Sequence, residues 1–278
     1  MVVSLEQEKS EEIELELLLE AIHRRYGFDF RDYASAPLRR RLQRRAVAED
    51  VGSLSELQGL LLRDPACMER LLLDLSINVT AMFRDPSFFA ALRREVVPAL
   101  REQPFTRIWC AGCSTGEEVY SLAILLHEEG LYEQSRIYAT DINEYALEAA
   151  RTGIVPLDRM RRYTESYIRS GGARDFSEYY VAAYDAARFN PDLLGNVVFA
   201  QHNLATDRAF SDFHLVICRN VLIYFDRPLQ DRVIDLFCDS LGASGILGLG
   251  RRETVAFSSG AERFEPLSPV ERIFRKTA

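Results

Sequence analysis

The sequence has few cysteines, no long apolar run and no excess of positive charge, and each shortage argues against a class of protein. Five cysteines in 278 residues are too sparse and odd in number for a disulfide framework. No apolar run approaches the roughly 18 residues of a membrane span, and the N-terminus is acidic where a secretory signal would be basic. The net charge of −8 does not suit a polyanion-binding protein. These features predict a cytoplasmic protein with reduced thiols.

The composition of the chain changes near residue 100, which predicts two domains. Residues 1–96 are rich in Leu, Glu, Arg and Ala, which favour helices, so they predict a helical N-terminal domain. Pro98 and Pro104 interrupt this pattern, and the predicted linker therefore covers 97–105. The remaining residues, 106–278, form the predicted second domain.

In the second domain, short apolar runs alternate with helical stretches. The runs of strand length are 107–111, 136–140, 197–201, 213–218 and 245–250. This alternation predicts an α/β fold with a parallel, doubly wound sheet, and 264–274 are compatible with an antiparallel edge hairpin. Residues 156–196 break the rhythm and are too long for a crossover loop, so they predict an inserted small subdomain.

Ligands of such sheets bind beyond the carboxyl ends of the strands, where this sequence has a glycine turn and an acid. Gly112 and Gly116 allow a ligand to approach the backbone closely, but their spacing fits neither G-x-G-x-x-G nor a P-loop. Glu117 would repel a phosphate and attract a cation, although complementing the helix dipole is an equal alternative. Asp141 has two acceptor oxygens for the hydroxyls of a ribose, or it caps the next helix. Ribose binding without a phosphate cradle favours S-adenosylmethionine over NAD.

The other polar candidates have simpler explanations when each is taken alone. Cys110 and Cys113 form a CxxC, but no thioredoxin-like or zinc-ligand context accompanies it, so packing thiols are favoured and no metal is predicted. Residues 76–85 and 218–225 place polar side chains in apolar surroundings. Helix capping and ordinary surface positions explain both segments more simply than a binding role.

Five motifs taken together are more specific than any one of them. In chain order they are NVTAMFRD (78–85), AGCSTGEEVYSLA (111–123), ATDIN (139–143), QHNLA (201–205) and CRNVLIYFD (218–226). In order and spacing they resemble the CheR family, the chemotaxis-receptor glutamate O-methyltransferases that use S-adenosylmethionine. The resemblance, which runs from about residue 20 to the end, implies a helical N-terminal domain followed by a Rossmann-like methyltransferase domain. It also implies a small β-subdomain inserted at 156–196.

The resemblance implies roles for individual residues. The residues implied to contact the cofactor are Asn78, Thr80, Arg84, Gly112, Glu117, Asp141, Asn203, Leu204, Arg219 and Asn220. Within this set Asp141 is the implied ribose ligand, Asn203 and Leu204 lie beside the adenine, and the Arg219-Asn220 pair lies under the methionine portion. Arg84 and Tyr224 are implied to orient the substrate carboxylate and are therefore the catalytic candidates. S-adenosylhomocysteine is the implied product of the cofactor.

A basic stretch at 37–45 carries five arginines and no acid: Arg39, Arg40, Arg41, Arg44 and Arg45. In the family a basic N-terminal helix docks on an acidic receptor coiled coil, so the resemblance implies a chemoreceptor-type coiled-coil partner. The alternative interpretations are a solvated helix face or counterions for the Glu-rich residues 6–20. We expect a monomer with no nucleic-acid partner and no segment inserted in the membrane.

The chain departs from the family pattern in two places. Arg251 and Arg252 precede Glu253, where relatives commonly have a small polar residue, and 176–184 in the predicted insert are unusually aromatic. One alternative hypothesis is a non-catalytic S-adenosylmethionine-binding signalling module of the same fold. Another is a nucleic-acid methyltransferase that uses the basic stretch, which the net charge of −8 disfavours.

Overall fold

The chain divides into two compact units, which we describe from a computed structural model. The structure describes residues 2–75, 80–210, 212–256 and 258–277, with the backbone alone for 2–8. The first unit consists of Met1–Ile77 and Tyr224–Arg232, and the second of Asn78–Ile223 and Val233–Ala278. This division differs from the predicted boundary at 97–105.

The predicted linker differs from the structure because part of it is helical. Helix α5 (Pro86–Ala91) continues through a π-helical segment (Leu92–Val96) into α6 (Val97–Arg101), all within the second unit. Pro98 closely follows the π-helical segment, where the regular α-helical hydrogen-bond pattern is interrupted, so its missing N–H is tolerated.

The first unit is helical, as predicted. Its helices are α1 (Val2–Tyr26), α2 (Ser35–Ala48), α3 (Leu54–Arg63) and α4 (Pro65–Leu75). Ser53 begins α3 because its side chain accepts a hydrogen bond from the Glu56 amide at 3.1 Å. Leucines at helical spacing, such as Leu57 and Leu61, are fully buried in the core of the unit. The segment from Tyr224 onward joins this unit through an antiparallel bridge between Tyr33 and Phe225.

The second unit is built on a seven-stranded sheet. Its strands are β1 (Thr106–Ala111), β2 (Ser135–Asp141), β6 (Val197–Gln201), β7 (Phe213–Cys218), β8 (Leu241–Leu249), β9 (Phe264–Ser268) and β10 (Ile273–Lys276). The strand order is β6-β2-β1-β7-β8-β10-β9. The first five strands in this order are parallel, and β10 is antiparallel to both of its neighbours. The predicted Rossmann-like fold is confirmed.

Helices follow the central strands of this sheet. They are α7 (Glu117–Glu128), α8 (Glu144–Thr152) and α10 (Arg227–Ser240). Strand β1 is almost entirely buried, and its Trp109 stacks on Phe213 of β7 with ring centroids 5.4 Å apart. Burial on both faces explains why these strands are continuous apolar runs. Among the described residues, no helix has the length and apolarity that a membrane crossing requires.

A small inserted subdomain interrupts the sheet between β2 and β6, as predicted. It contains α9 (Met160–Arg169) and three antiparallel strands, β3 (Ile154–Pro156), β4 (Tyr180–Ala183) and β5 (Ala186–Phe189), in the order β3-β5-β4. The aromatic residues of 176–184 differ in burial. Phe176 and Tyr179 are buried, whereas Tyr184 is fully exposed.

Candidate functional site

The glycine turn after β1 packs against two other parts of the second unit. Gly112 has φ +73°, and a Cβ there would lie 2.5 Å from Cγ2 of Val221, in the loop after β7. Gly116 has φ +90°, and a Cβ there would lie 2.8 Å from Cβ of Ala150 in α8. Only glycine satisfies both the left-handed backbone and the close approach. The turn therefore lies between β1 and β7, at the topological switch point where ligands bind.

Asp141 ends β2 and holds the glycine turn from the side. Its Oδ2 accepts a hydrogen bond from the Ser114 amide at 2.8 Å, and its Oδ1 accepts one from the Asn143 amide at 3.0 Å. Each oxygen keeps capacity for a further donor, as two ribose hydroxyls require. Burial raises the pKa of Asp141, while the backbone amides act in the opposite direction.

Asn143, rather than Asp141, is the N-cap of α8. The Asn143 side chain accepts from the Tyr145 amide at 3.0 Å, as a capping residue does. Helix capping therefore does not explain the acid at position 141, because Asn143 caps α8.

Glu117 begins α7 and is almost completely buried. Its Oε2 accepts from the Thr115 hydroxyl at 2.6 Å, and its Oε1 accepts from the Tyr163 hydroxyl of α9 at 3.3 Å. Arg159 lies 3.7 Å from the same carboxylate. A helix dipole contributes only about 0.3–1 kcal/mol to such a group, less than the several kcal/mol that desolvating an ion costs. The dipole alone therefore does not explain this buried carboxylate.

Arg219 lies at the end of β7 with its side chain buried between two acids. Its guanidinium donates to Asp85 at 2.6 Å and to Glu118 at 2.8 Å, and it stacks 4.1 Å above the Phe88 ring. Arg219 therefore connects the loop that carries Arg84 to the start of α7. This geometry gives Arg219 a positioning role beside the cofactor contact that the resemblance implies, and it adds Asp85, to which no sequence pattern gave a site role.

Asn220 is held in a left-handed conformation, φ +61°, by a buried acid. Its amide donates to Oε2 of Glu253 at 2.9 Å, and the Val221 amide donates to Oε1 at 2.8 Å. The Gly250 amide also donates to Oε2 of Glu253, at 2.6 Å. Burial raises the pKa of Glu253, against the effect of these amides. The role of Glu253 depends on contacts across 32 and 33 residues, which no local pattern signals.

The side-chain oxygen of Asn220 is the clearest mark of a ligand. Oδ1 is buried and has no hydrogen-bond partner within the described part of the chain. An unpaired buried acceptor is costly, so it suits a site that a donor occupies on binding. A donor group of a bound ligand would satisfy this acceptor.

Arg84 lies between two strained residues. Phe83 and Asp85 have φ values of 48° and 55°, and Ser114 in the glycine turn has 52°. Left-handed non-glycine residues cost energy and cluster at functional sites. Arg84 itself is half-buried and lines a cavity of about 410 Å³. The strained loop therefore constrains the backbone from which the Arg84 side chain projects.

The remaining implied cofactor residues are more dispersed. Asn203 and Leu204 follow β6, whose last residue Gln201 pairs with Asp141 of β2. Oδ1 of Asn203 accepts from the Ala205 amide at 3.0 Å, and Leu204 is buried. Thr80 is half-buried, and Asn78 lies outside the described residues.

The basic stretch of the first unit divides into two faces of α2. Arg41 is buried, and its guanidinium lies 5.1 Å from the centre of the Tyr224 ring, within the same unit. Arg45 donates to Asp74 at 2.6 Å and to Glu49 at 3.1 Å. These two arginines have structural contacts, which corrects the expectation that all five arginines face a partner.

Three arginines of the stretch remain accessible. Arg40 and Arg44 are exposed one turn apart, and Arg39 is partly exposed, 3.5 Å from Glu11. Arg44 makes a long contact of 3.4 Å with Asp74. Long, exposed ion pairs contribute little, so these side chains can exchange partners readily.

All five cysteines lie among the described residues and are buried free thiols, as the packing interpretation predicts. Burial raises the pKa of Cys110 and Cys113, which makes both poor nucleophiles.

Comparison with known proteins matches both parts of the chain. A family model described as CheR methyltransferase, SAM binding domain, matches residues 78–270, and one described as CheR methyltransferase, all-alpha domain, matches residues 13–76. The border between the two matches coincides with the border between the two compact units.

Individual relatives match over most of their length. The Pseudomonas putida protein that carries the name methyltransferase Cher3 is 52% identical over 270 residues, which are 97% of this chain and 99% of that protein. Chemotaxis protein methyltransferase 2 of Pseudomonas aeruginosa is 31% identical, with 86% of each chain covered. A chemotaxis protein methyltransferase of Listeria innocua is 30% identical, with 84% of this chain and 87% of that protein covered.

Proposed function

The chain belongs to the CheR methyltransferase family and uses S-adenosylmethionine, and from this premise we propose that it methylates glutamate side chains of chemoreceptor-type signalling proteins, giving glutamyl methyl esters. The observation that carries the proposal is the bridge formed by Arg219. Its two carboxylate partners adjoin Arg84 on one side and Glu117 on the other. Arg84, the cation proposed to bind the acidic substrate, is thereby held at a fixed position relative to the glycine turn that precedes Glu117.

The residues of the second unit fit S-adenosylmethionine better than a nucleotide with a phosphate chain. Glu117, Asp141 and the unpaired Oδ1 of Asn220 present acceptors and negative charge around the glycine turn. Such a lining suits hydroxyl, ammonium and sulfonium groups and repels phosphates. We propose Asp141 as the ribose ligand and assign cofactor contacts also to Asn78, Thr80, Arg84, Gly112, Asn203, Leu204 and Arg219. When bound, S-adenosylmethionine supplies a methyl group activated by the positive charge of its sulfur.

The proposed reaction needs no general base. A glutamate side chain is ionised near neutral pH, so its oxygen is already nucleophilic. The protein therefore contributes alignment of the carboxylate and removal of its water shell. We propose that Arg84 holds one carboxylate oxygen and that the hydroxyl of Tyr224 directs the other.

The proposed partner is an acidic coiled coil of a receptor. The exposed Arg39, Arg40 and Arg44 present positive charge on α2 of a chain whose net charge is −8. A local basic face on an acidic protein selects an acidic helix by electrostatic attraction. The names of the Pseudomonas aeruginosa and Listeria innocua relatives agree with a chemotaxis substrate.

The test is transfer of labelled methyl from S-adenosylmethionine to a panel of receptor cytoplasmic fragments. We expect label that mild base releases as methanol, because esters hydrolyse whereas N-methyl groups do not. The matched control is each fragment with the glutamates of its methylation region replaced by glutamine. Base-stable label, or label retained on the glutamine fragments, contradicts the proposal. Binding of S-adenosylhomocysteine without any transfer would instead support the non-catalytic signalling module.

A further inference from the structure

The cavity beside Arg84 is lined mainly by charged side chains, and the proposed chemistry does not use four of them: Arg162, Arg169, Arg251 and Glu165. Its volume is about 410 Å³, within the range of ligand sites. The charged residues of its lining are Arg84, Arg162, Arg169, Arg251, Asp85 and Glu165. Four arginines thus face two acids, all within the second unit.

Both acids of the lining are paired with arginines that do not line the cavity. Asp85 accepts from Arg219 at 2.6 Å, and Glu165 lies 3.3 Å from Arg161. The side chains of Arg162 and Arg169, in contrast, have no hydrogen bond or ion pair to any residue that the structure describes. Asp85 is thus committed to Arg219, and the four arginines of the lining outnumber its two acids.

Helix α9 presents its arginines to the cavity from one face. Arg162, Ser166 and Arg169 recur at helical spacing, and the two arginines are about 10 Å apart along the axis. The opposite face is anchored in the core, since Met160, Tyr163 and Tyr167 are buried.

The same helix contacts the proposed cofactor loop. The hydroxyl of Tyr163 donates to Glu117 at 3.3 Å, from the face opposite the arginines. One rigid element therefore joins the basic cavity to the residue that begins α7. A group bound by the arginines would consequently have a defined position relative to the cofactor loop.

Arg251 closes the cavity from the loop after β8. Its guanidinium donates to the Ser87 hydroxyl at 2.7 Å and lies 3.4 Å from Glu271. The hydroxyl contact orients the side chain without neutralising it, and the contact with Glu271 is long.

We propose that the cavity is an acidic-residue subsite: it binds a carboxylate side chain that flanks the methylated glutamate of the protein substrate, and Arg162, Arg169 and Arg251 determine this specificity. The inference rests on the proposed function for the identity of the central glutamate. Guanidinium groups bind carboxylates in bidentate geometry, so uncompensated arginines favour an acid over an amide.

The test compares two fluorescein-labelled helical peptides on the full chain by anisotropy, with S-adenosylhomocysteine present. One carries a central glutamate with a glutamate one turn to either side, and the other has glutamine at both flanking positions. We expect the wild type to bind the flanking-glutamate peptide about five- to tenfold more tightly. The double variant R162Q/R169Q should lose this preference, and Arg251→Ser should lose part of it.

The matched control is R174Q/R188Q, which removes two exposed arginines of the same subdomain that neither line the cavity nor pair with its acids. It should retain the preference. An equal loss in both double variants would show bulk charge attraction only, and equal binding of both peptides by the wild type would overturn the subsite. Displacement of the peptide by inorganic phosphate at constant ionic strength would also overturn it, because a general anion site would then suffice.

Two further measurements separate this inference from other failures. Thermal unfolding and calorimetry with S-adenosylhomocysteine establish that each variant is folded and binds the cofactor product. Methyl transfer is scored separately on receptor fragments. A flanking-acid preference without ester formation rejects the proposed function alone, whereas ester formation with no preference rejects the subsite alone.

Discussion

Asp141 and Glu253 are both buried acids at the carboxyl edge of the sheet, but they differ in what they can still accept. Three backbone amides act on Asp141, whereas four act on Glu253, those of Asn220, Val221, Ile223 and Gly250. Asp141 therefore has capacity for a ligand, and Glu253 is committed to holding the loops after β7 and β8. Burial raises the pKa of both carboxyls, so the amides are what keep each anion in place.

Exchange of Asp141 or Arg84 for alanine should separate binding from turnover. We expect Asp141→Ala to weaken S-adenosylhomocysteine binding about tenfold or more, because ribose hydroxyls lose their acceptors. Arg84→Ala should leave this affinity largely intact and lower turnover about a hundredfold, since it removes alignment of the substrate. Calorimetry beside a methyl-transfer assay measures both. The control is Asp158→Ala, which replaces an exposed acid of the same unit. Weaker S-adenosylhomocysteine binding in Arg84→Ala, with a loss of turnover alone in Asp141→Ala, would refute the two assignments.

Replacement of Glu253 by glutamine should destabilise the second unit. Glutamine places an NH2 group against a backbone N–H, so one buried donor loses its acceptor, at a cost of about 1–3 kcal/mol. The measurement is the free energy of unfolding in denaturant. Glu178→Gln, at an exposed position of the insert, serves as the control. An unchanged free energy of unfolding for Glu253→Gln would show that the loop does not depend on this acid.

Helical periodicity shows which residues share a face of an element but not which face is buried. In α1, Ile13 and Leu17 share the spacing of a core stripe yet are more than half exposed, while Leu18 and Ile22 are fully buried. In α2, the exposed pair Arg40 and Arg44 has the same spacing as a pair that faces the interior. A long arginine side chain can occupy either face because its stem is apolar and its charge can be paired.

The two arginine pairs of α2 should therefore respond differently to substitution. R40Q/R44Q should lower kcat/KM for an acidic receptor fragment about three- to tenfold, with a weaker salt dependence and unchanged unfolding. R41Q/R45Q should lower the free energy of unfolding, because Asp74 and Glu49 lose a partner.

The contact of Glu49 with Arg45 supports a structural role for the pair Arg41 and Arg45. Arg70 and Arg45 lower the pKa of Glu49 to about 2, so it is ionised in the folded protein throughout the neutral range. Kinetics at several salt concentrations and denaturant unfolding distinguish the two pairs. Equal loss of substrate binding in both, with no change in unfolding, would contradict the division of α2 into two faces.

At the scale of the whole molecule, the boundary between units differs from the sequence prediction because of packing. Residues 78–105 have helical composition, and nothing in that composition indicates which core they join. Phe88 and Phe89 decide this: both are buried in the second unit, and the Phe88 ring lies where a side chain on Gly248 of β8 would be. The motif that carries Arg84 thereby belongs to the methyltransferase unit.

Cofactor product should stabilise the second unit selectively. A ligand at about one hundred times its dissociation constant adds about 2.7 kcal/mol to the free energy of unfolding of the part that binds it. Differential scanning calorimetry with S-adenosylhomocysteine should raise the transition of the second unit and leave that of the first in place. Asp158→Ala should behave like the wild type, and Asp141→Ala should show a smaller shift. An equal shift in both variants would argue against Asp141 as a ligand.

The fold class, the inserted subdomain and the cofactor followed from the sequence, because strand–helix alternation, the glycine turn and the ordered motifs are all local patterns. The tertiary structure alone decided which charges meet. Arg219 contacts Asp85 and Glu118 across 134 and 101 residues, and the basic cavity unites α9 with the loops around Arg84 and Arg251. Such contacts depend on how the elements pack and on the loops that join them, and hydrophobic periodicity along the chain carries no information about either.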